Sequence, residues 1–396
     1  MKVLFIAPFK LEIHDGTTIR VLNLAKAATY ISEEVFLVSP SINEEFKLNN
    51  IVNIKMKEIE GRYHFTLAYL SEFSSKLSFT IGTRILHINP EEYDFLDHIN
   101  VIHVHWLLYK YLAKILQQIV HKRIPLVVDL HGSWNLQQSK KGYVKDVLAL
   151  KLGQAHEALA FRDNSIDAFT SPSISFNNYI ASKYKVDPKK LFEVKDAVDA
   201  EVIASSRSCN EIEVNKLIGE ISSSTNLIAY TGSTTNFHGF LDLIEAYNIL
   251  KKFYKYNFKL LLIVPSITQS LMINRDTIIL KNIPRRFVPC VLRKATVLVF
   301  PHIAGTQFDY IPSNKIYDYI LAGRPIVAYK TSAADDLLKD YSMYIPVKPN
   351  NPIELARGII KAVETYGNSE PKPMYNKVPT INSVAESLKR VYSEIV

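Results

Sequence analysis

The residues best suited to chemistry in this sequence follow short apolar runs. His131 comes directly after Leu126 to Leu130, and Gly232 and Ser233 come after Leu227 to Thr231. Short runs rich in β-branched residues predict strands. Parallel sheets bind ligands beyond the carboxyl ends of their strands. The spacing therefore predicts that these residues line a ligand site, where a histidine can exchange a proton or hydrogen-bond a sugar hydroxyl.

The most informative segment runs from Pro312 to Pro325. Ser313 is a suitable N-cap for a helix that ends near Ala322, which places Lys315 in the first turn. The helix dipole disfavours a cation there unless an anion is bound. Asp318, one turn further along, is suited to accept hydrogen bonds from ribose hydroxyls or to form an i,i+3 ion pair with Lys315. We favour the ligand, because the helix begins where the sheet rule places one.

Two further turns are less specific. Asp15-Gly16-Thr17-Thr18 leads into a predicted helix, either as an anion-binding turn or as an ordinary start capped by Asp15 or Thr17. His238 and Gly239 lie between the strand that ends at Thr231 and the next predicted helix. A glycine turn of this kind is compatible with phosphate binding.

The elements that position these residues alternate between strand and helix. Helices are expected over Thr17 to Ile31 and Phe240 to Tyr254, and this rhythm predicts right-handed crossovers and parallel sheets. The expected strands are Lys2 to Ala7, Val35 to Ser39, Val52 to Met56, Val101 to His105 and Leu126 to Leu130, then Leu227 to Thr231, Lys259 to Val264, Thr277 to Leu280, Thr296 to Phe300 and Pro325 to Tyr329.

A polar segment, Ala200 to Asn226, separates the two halves and is expected to be the linker. We therefore predict an N-terminal domain over 1–199, a C-terminal domain over 200–380, and a helix over 381–396 that packs back on the first domain. A length of 396 residues and a hydrophobic fraction of 47% suit two α/β domains.

Composition excludes several other classes of protein. The charged fraction of 22% argues against disorder, and no apolar stretch of about 18 residues or secretory signal is found, so a cytoplasmic protein is expected. The net charge of +8 is spread along the chain without a nucleic-acid-binding motif. Solvated helix faces or peripheral contact with an anionic membrane surface would explain it. Cys209 and Cys290 lack the spacing of a disulfide framework or a zinc site, and both are expected to be inert.

These residues resemble the group 1, or family 4, glycosyltransferases of the GT-B fold. His131-Gly132 matches the family's HG motif, and Lys195 to Asp199 is similar to the segment that closes its first domain. Gly16 with Arg20 resembles the family's double-glycine loop. Asn314 to Tyr319, continued by Gly323 to Ala328, resembles the family's C-terminal signature. The resemblance covers almost the whole chain.

The resemblance implies two Rossmann-like domains whose parallel sheets face a central cleft. It implies a retaining, metal-independent transferase that uses a UDP-, GDP- or similarly activated sugar as substrate, with no cofactor and no metal; the sequence contains no Asp-X-Asp triplet. The expected donor contacts are Gly16, Arg20, Gly232, Ser233, His238, Asn314, Lys315 and Asp318, and the expected catalytic residues are His131 and Asp318.

Four positions depart from the family's pattern. Asp15 stands where the family has the first glycine of its double-glycine loop. Ser233 and His238 stand where the family has an arginine and a lysine that hold the donor diphosphate, and Tyr310 stands where it has a first glutamate. Diphosphate binding must then depend on Lys315, helix N-termini and Arg20. If His238 replaces the lysine, its charge should fade as the pH rises through about 6.5.

The acceptor is a glycan, a lipid-linked molecule or another compound. Residues 62–88 are aromatic and aliphatic on all sides, which suits either a lipid-linked acceptor or a helix packed on the sheet. A non-catalytic GT-B-like protein that binds sugars or partners is the alternative function, supported by the missing cations. A sugar-nucleotide epimerase is a weaker alternative.

Overall fold

The computed structural model describes residues 1–11, 16–43, 50–56, 67–68, 71–72, 74, 80–81, 95–136, 144–219, 222, 225–265 and 277–396. The chain forms two compact units. The N-terminal unit comprises Met1–Ala197 with Ile381–Val396, and the C-terminal unit comprises Val198–Thr380.

Each unit is built on one sheet, and all the strand pairs among the described residues are parallel. The strands are β1 Lys2–Ile6, β2 Glu34–Ser39, β3 Val52–Lys55, β4 Val101–His105, β5 Leu126–Asp129, β6 Ala168–Ser171 and β7 Leu191–Glu193 in the first unit, and β8 Asn226–Thr231, β9 Phe258–Ile263, β10 Thr277–Leu280, β11 Val297–Phe300, β12 Ile326–Tyr329 and β13 Tyr344–Val347 in the second. Their spatial orders are β3-β2-β1-β4-β5-β6-β7 and β10-β9-β8-β11-β12-β13.

The helices connect these strands and cover the sheets. They are α1 Gly16–Ala28, α2 Lys110–Ile119, α3 Val144–Ala160, α4 Ile174–Tyr184, α5 Ala200–Arg207, α6 Glu211–Ile218, α7 Phe240–Phe253, α8 Val288–Leu292, α9 Lys315–Ala322, α10 Ser332–Leu338, α11 Pro352–Tyr366 and α12 Ile381–Ser393. No helix in the described ranges is both long enough and apolar enough to cross a lipid bilayer.

The sheet of the C-terminal unit is buried on both faces. One core cluster contains Leu243 of α7 and Ile359 of α11, and the other contains Val291 of α8 and Ile316 of α9. A sheet covered on both sides needs apolar residues at successive strand positions, which is why β9 and β11 are apolar runs rather than alternating ones.

The C-terminal helix α12 packs within the N-terminal unit. Its residues Val384 and Leu388 share a core cluster with Val21 and Leu24 of α1. The apolar positions recur at helical spacing on both helices, so each buries one stripe against the other and the sheet.

The expectations about local structure were wrong for one segment and omitted three strands. The polar segment expected as a linker, Ala200 to Asn226, contains helices α5 and α6, which bury Val202 and Val214. Strands β6, β7 and β13 were not predicted, because they are three or four residues long and two of them are only partly buried. Such short runs give too little periodicity to recognise.

The expectation that the two cysteines are inert was also wrong, because Cys209 and Cys290 form a disulfide. It joins the segment between α5 and α6 to helix α8. Cysteines 81 positions apart carry no sequence signal of pairing, and only the packing of α8 against α5 brings them together.

We expect reduction of this disulfide to destabilise the C-terminal unit. The cross-link restricts the unfolded chain over a separation of 81 residues, which is worth up to about 4 kcal/mol. Urea unfolding with and without a phosphine reductant measures the difference. The variant Cys209→Ser/Cys290→Ser is the control and should not respond to reductant. Two reactive thiols in the unreduced native protein would contradict the disulfide.

Candidate functional site

Helix α9 begins one residue later than a Ser313 cap would require. Its N-cap position is Asn314, which has helical backbone angles and makes no side-chain capping bond. The carbonyl of Ser313 instead accepts a hydrogen bond from the backbone N–H of Ile316. The Oδ1 atom of Asn314 is buried and has no partner in the described structure. The predicted cap was therefore wrong, and Asn314 places an unpaired acceptor at the helix start.

Lys315 is a buried cation without a carboxylate partner among the described residues. Its Nζ atom donates a hydrogen bond of 3.2 Å to the Tyr230 hydroxyl. The same atom lies 4.5 Å from the centre of the Tyr230 ring and 5.6 Å from that of Phe300. Burial lowers the pKa of Lys315 to about 7. Aromatic faces and one hydroxyl therefore hold an ammonium group that has no counter-charge.

Gly232 provides the space for this lysine. It follows β8 with φ 120°, which side-chain-bearing residues rarely adopt. A Cβ atom at this position would lie 3.0 Å from the Nζ atom of Lys315. The Tyr230 hydroxyl, which accepts from Lys315, also donates to the carbonyl of Ser233. The predicted residues Gly232, Ser233 and Lys315 thus come together in the C-terminal unit.

Asp318 is a buried carboxylate on the same helix. It is 6% exposed, and its Oδ1 atom has no hydrogen-bond partner among the described residues. Burial raises the pKa of Asp318 to about 6; Arg285 opposes this increase and Asp199 adds to it. The ion pair with Lys315 that the sequence left open is not among the salt bridges of the described residues. A buried carboxylate oxygen without a donor is well suited to accept from a ligand hydroxyl.

His238 does not replace the family's lysine as a cation. Its Nδ1 atom lies 3.2 Å from the Nε2 atom of His302, and its ring packs 4.7 Å from that of Phe308. Burial lowers the pKa of His238 to about 3, and the ammonium of Lys315 lowers it further. The same two causes hold the pKa of His302 well below its usual value. Both rings are neutral near pH 7, so the expected titration of His238 near pH 6.5 was wrong.

In the N-terminal unit, the polar centre is Asp129, at the end of β5. Its Oδ2 atom accepts from Nε of Arg20 at 2.8 Å, and its Oδ1 atom accepts from Nη2 of Arg20 at 2.7 Å and from Thr170 at 2.6 Å. Nε2 of His131 and Nδ1 of His105 lie 2.9 and 3.2 Å from Oδ2. Burial alone would raise the pKa of Asp129, but Arg20, His131 and His105 hold it well below its usual value.

The predicted role of Arg20 in diphosphate binding needs correction. Besides its two bonds to Asp129, the guanidinium donates to the carbonyl of Val194 and to the carboxylate of Asp196, and the residue is 3% exposed. An arginine that joins α1 to β5 and to the segment after β7 in this way stabilises the unit internally. It is not available to a phosphate.

His131 lies beside this cluster. Its ring stacks on Trp106 with centroids 5.1 Å apart and meets His105 edge-on at 5.2 Å. The side chain is only 4% exposed, because these neighbours pack around the ring. Trp106 itself has φ 72°, an unusual conformation for a bulky residue.

The remaining predictions divide between described and undescribed residues. Gly16 begins α1, and a Cβ atom there would have no neighbour within 4 Å, so the structure gives no reason for glycine at this position. Asp15 lies outside the described residues, as does most of the apolar segment 62–88.

Among the described residues, one cluster has three side chains that could hold a metal ion, and it consists of His105, Asp129 and His131. Their ligand atoms lie within 4.8 Å of one another. The guanidinium of Arg20 already contacts both carboxylate oxygens of Asp129, and this fixed positive charge opposes cation binding.

Sequence reasoning missed Tyr230, His302, Asp129 and Trp106. Each lies at or near the carboxyl end of a strand, which is the one signal that pointed to them. Aromatic and acidic residues at such positions are common in cores, so only their contacts distinguish them.

Comparison with known proteins identifies a similar family over part of the chain. Residues 225–365 match the sequence model of the family described as "Glycosyl transferases group 1". This region includes β8, the turn with Gly232, and helix α9 with Lys315 and Asp318. The similarity to group 1 glycosyltransferases at the level of sequence is thus confined to the C-terminal unit.

Solved structures resemble the whole chain at low sequence identity. A glycosyltransferase from Rickettsia africae is 14% identical with a TM-score of 0.71, and covers 100% of this chain and 98% of its own. HepE from Anabaena, in complex with UDP and glucose, is 14% identical with a TM-score of 0.65 and 99% coverage of both chains. Sucrose-phosphate synthase from Thermosynechococcus elongatus is 12% identical with a TM-score of 0.64, and covers 100% and 94%. A search of curated proteins found no match. The fold is GT-B, with two Rossmann-like domains, as the resemblance implied.

The C-terminal unit has only part of the charged site that the resemblance implied. Lys315 and Asp318 are present, whereas Ser233 and the neutral ring of His238 stand at the two positions where cations were expected. Asp309, next to the position of the first glutamate, accepts from the backbone N–H of Gly305. The buried lysine is therefore the cation that this turn and helix present.

We expect Asp318→Asn to stabilise the C-terminal unit in the absence of ligand. Because the folded-state pKa is raised from 3.8 to about 6, folding opposes ionisation. The penalty is absent below pH 3.8, complete above about pH 6, and worth up to about 3 kcal/mol. Chemical unfolding at pH 4 and pH 8 measures it. Asp340→Asn, at an exposed carboxylate, is the control and should change stability by less than about 0.5 kcal/mol. Equal destabilisation by both variants at pH 8 would contradict the burial penalty.

Proposed function

We propose that this chain transfers a sugar from a nucleotide-sugar donor to an acceptor, with retention of configuration and without a metal cofactor. One observation carries the proposal. Within a single turn, α9 buries an ammonium group without a counter-ion and a carboxylate oxygen without a donor, as far as the described residues show. Burying such groups unpaired is costly, so a ligand that supplies both partners would be bound strongly.

A nucleoside diphosphate sugar has the required chemistry. Its phosphates are anions that would pair with Lys315 and with the N-terminus of α9. Its ribose hydroxyls would donate to Asp318. As the sugar leaves, negative charge grows on the diphosphate, and preorganised donors stabilise that charge without a metal. The group 1 family match and the neighbour HepE, solved with UDP and glucose, support the same class of donor.

The acceptor is proposed only by class, as a glycan or a lipid-linked molecule. The net charge of +8 is compatible with peripheral contact with an anionic membrane surface. No motif favours nucleic acid as a partner. The residues proposed for donor binding are Gly232, Ser233, Asn314, Lys315 and Asp318. His131 is proposed to contact a hydroxyl group of the substrate.

The base of the donor can be identified by thermal shift of the full chain with UDP, GDP, ADP and their sugars. A ligand at a hundred times its Kd adds about 2.7 kcal/mol to the stability of the folded state. We expect Lys315→Met and Asp318→Asn each to lower the affinity for the nucleotide sugar by at least tenfold, because each leaves one buried partner unpaired. Lys330→Met, at an exposed lysine of the same unit, is the control. Unchanged affinity in both site variants would refute the proposed donor site.

The same titration has a pH dependence with a definite sign. Above about pH 7 the free lysine is neutral and must take up a proton on binding, so affinity falls as the pH rises. Below about pH 6 the free Asp318 is protonated and must lose its proton, so affinity falls as the pH decreases. A diphosphate diester does not titrate in this range. Lys315→Met should remove the alkaline limb and Asp318→Asn the acidic limb. His238→Gln should keep both, since His238 is already neutral.

Activity assays distinguish the proposed function from its alternatives. We expect the purified chain to release nucleoside diphosphate from the donor identified above, slowly to water and faster to a suitable acceptor. His131→Ala should lower kcat by at least tenfold and leave donor affinity within about threefold. Donor binding without any release would indicate a GT-B-like binding protein. Conversion of the donor to its epimer without an acceptor would indicate an epimerase.

A further inference from the structure

The His131 ring is held more firmly than an ordinary strand-end histidine. Trp106 stacks on one face at an interplanar angle of 12°, and His105 meets the ring at 67°. Trp106 reaches this position with φ 72°, while its backbone N–H donates to the carbonyl of Asp129. Residues in such sparsely populated conformations persist only where the surrounding structure enforces them. The surrounding structure therefore holds the backbone of Trp106 in a strained conformation next to the His131 ring.

The hydrogen atoms on the ring follow from its contact with Asp129. A carboxylate can only accept hydrogen bonds, so an imidazole nitrogen 2.9 Å from Oδ2 must carry a hydrogen. That nitrogen is Nε2 of His131. In the neutral ring, Nδ1 is then the acceptor. Nδ1 makes no hydrogen bond to any residue of the described ranges.

The carboxylate is itself fixed from the opposite side. Arg20 donates to both oxygens of Asp129, and Thr170 donates to Oδ1. These bonds leave Asp129 ionised and prevent it from rotating. Arg20 thus holds Asp129, and Asp129 holds the His131 ring together with Trp106 and His105. The Nδ1 atom of that ring is an acceptor without a partner among the described residues.

We propose that Asp129, held by Arg20, is a positioning residue that keeps His131 in the Nε2–H tautomer, so that Nδ1 accepts a hydrogen bond from a substrate hydroxyl. This inference rests on the proposed function for the identity of that hydroxyl group. It assigns Arg20 a role that acts through Asp129 and His131, in place of the direct phosphate contact that the sequence suggested.

The contact between His105 and His131 gives the competing arrangement. Nδ1 of His105 lies 3.0 Å from Nε2 of His131. If His105 donated to a bare Nε2, that nitrogen would lie 2.9 Å from a carboxylate oxygen with no hydrogen between the two atoms, which is repulsive. If a divalent metal lay among the three groups, Nε2 would be a ligand instead. Both arrangements predict a His131 ring without a hydrogen on Nε2.

The tautomer can be measured in the free protein, independently of any activity. Long-range ¹H–¹⁵N correlation spectra of ¹⁵N-histidine-labelled full chain report which ring nitrogen carries the hydrogen, and the signal that His131→Ala removes identifies the residue. We expect an Nε2–H ring in the wild type. An Nδ1–H ring would overturn the proposal. Binding of one Zn²⁺ per chain that both His131→Ala and His105→Ala abolish would also overturn it.

Two carboxylate variants test the positioning role. Asp129→Asn should introduce Nδ1–H signal at His131 and lower kcat about 10- to 100-fold, with donor KM within threefold. The matched control is Asp196→Asn, which also removes a carboxylate from Arg20 but does not contact His131. It should leave the tautomer unchanged. A folded Asp129→Asn protein with an unaltered tautomer would overturn the proposal; if that variant does not fold, the wild-type tautomer decides. A chain that turns over no nucleotide sugar would refute the proposed function, while the tautomer would still test Asp129.

Discussion

The burial of two unpaired charges in the first turn of α9 is the constraint to which the C-terminal unit is adapted. An ammonium group and a carboxylate removed from water each oppose folding, and their pKa values move toward neutrality for that reason. The surrounding residues limit this cost without removing it. Tyr230 and Phe300 offer aromatic faces and one hydroxyl, and Gly232 adopts a left-handed conformation that clears the space. Charged groups that lack partners in the free protein can form ion pairs and hydrogen bonds with a ligand.

In the N-terminal unit, by contrast, the buried charge is paired. Asp129 is saturated by donors from Arg20, Thr170 and the neighbouring histidines, so its charge stabilises the unit internally. Among the described residues, Nδ1 of His131 has no hydrogen-bond partner. In the proposed function, the C-terminal unit would present charge to a ligand and the N-terminal unit would present a fixed acceptor. This division suits a reaction in which an anionic leaving group is stabilised and a neutral sugar is oriented.

The departures from the family's pattern have a physical consequence. Where the family has two further cations, this chain has Ser233 and a neutral His238 that packs with His302 and Phe308. In the proposed function, the electrostatic stabilisation of a diphosphate would depend mainly on Lys315, whose own charge depends on pH near neutrality. Ligand binding and protonation would then be coupled more closely than they would be beside a permanently charged arginine.

The sequence by itself determined the alternation of strands and helices and the two-domain plan, because apolar periodicity is a local signal. Strand-end placement likewise indicated Gly232, Lys315 and Asp318 as candidate site residues. Only the tertiary structure decided which side chains meet. Arg20 and Asp129 are distant in sequence, as are Cys209 and Cys290, and no local pattern encodes such pairings. Burial, which neutralises His238 and leaves Asp318 without a donor, is likewise a property of packed elements. Local sequence patterns indicate the candidate site residues, and long-range packing determines their charges and partners.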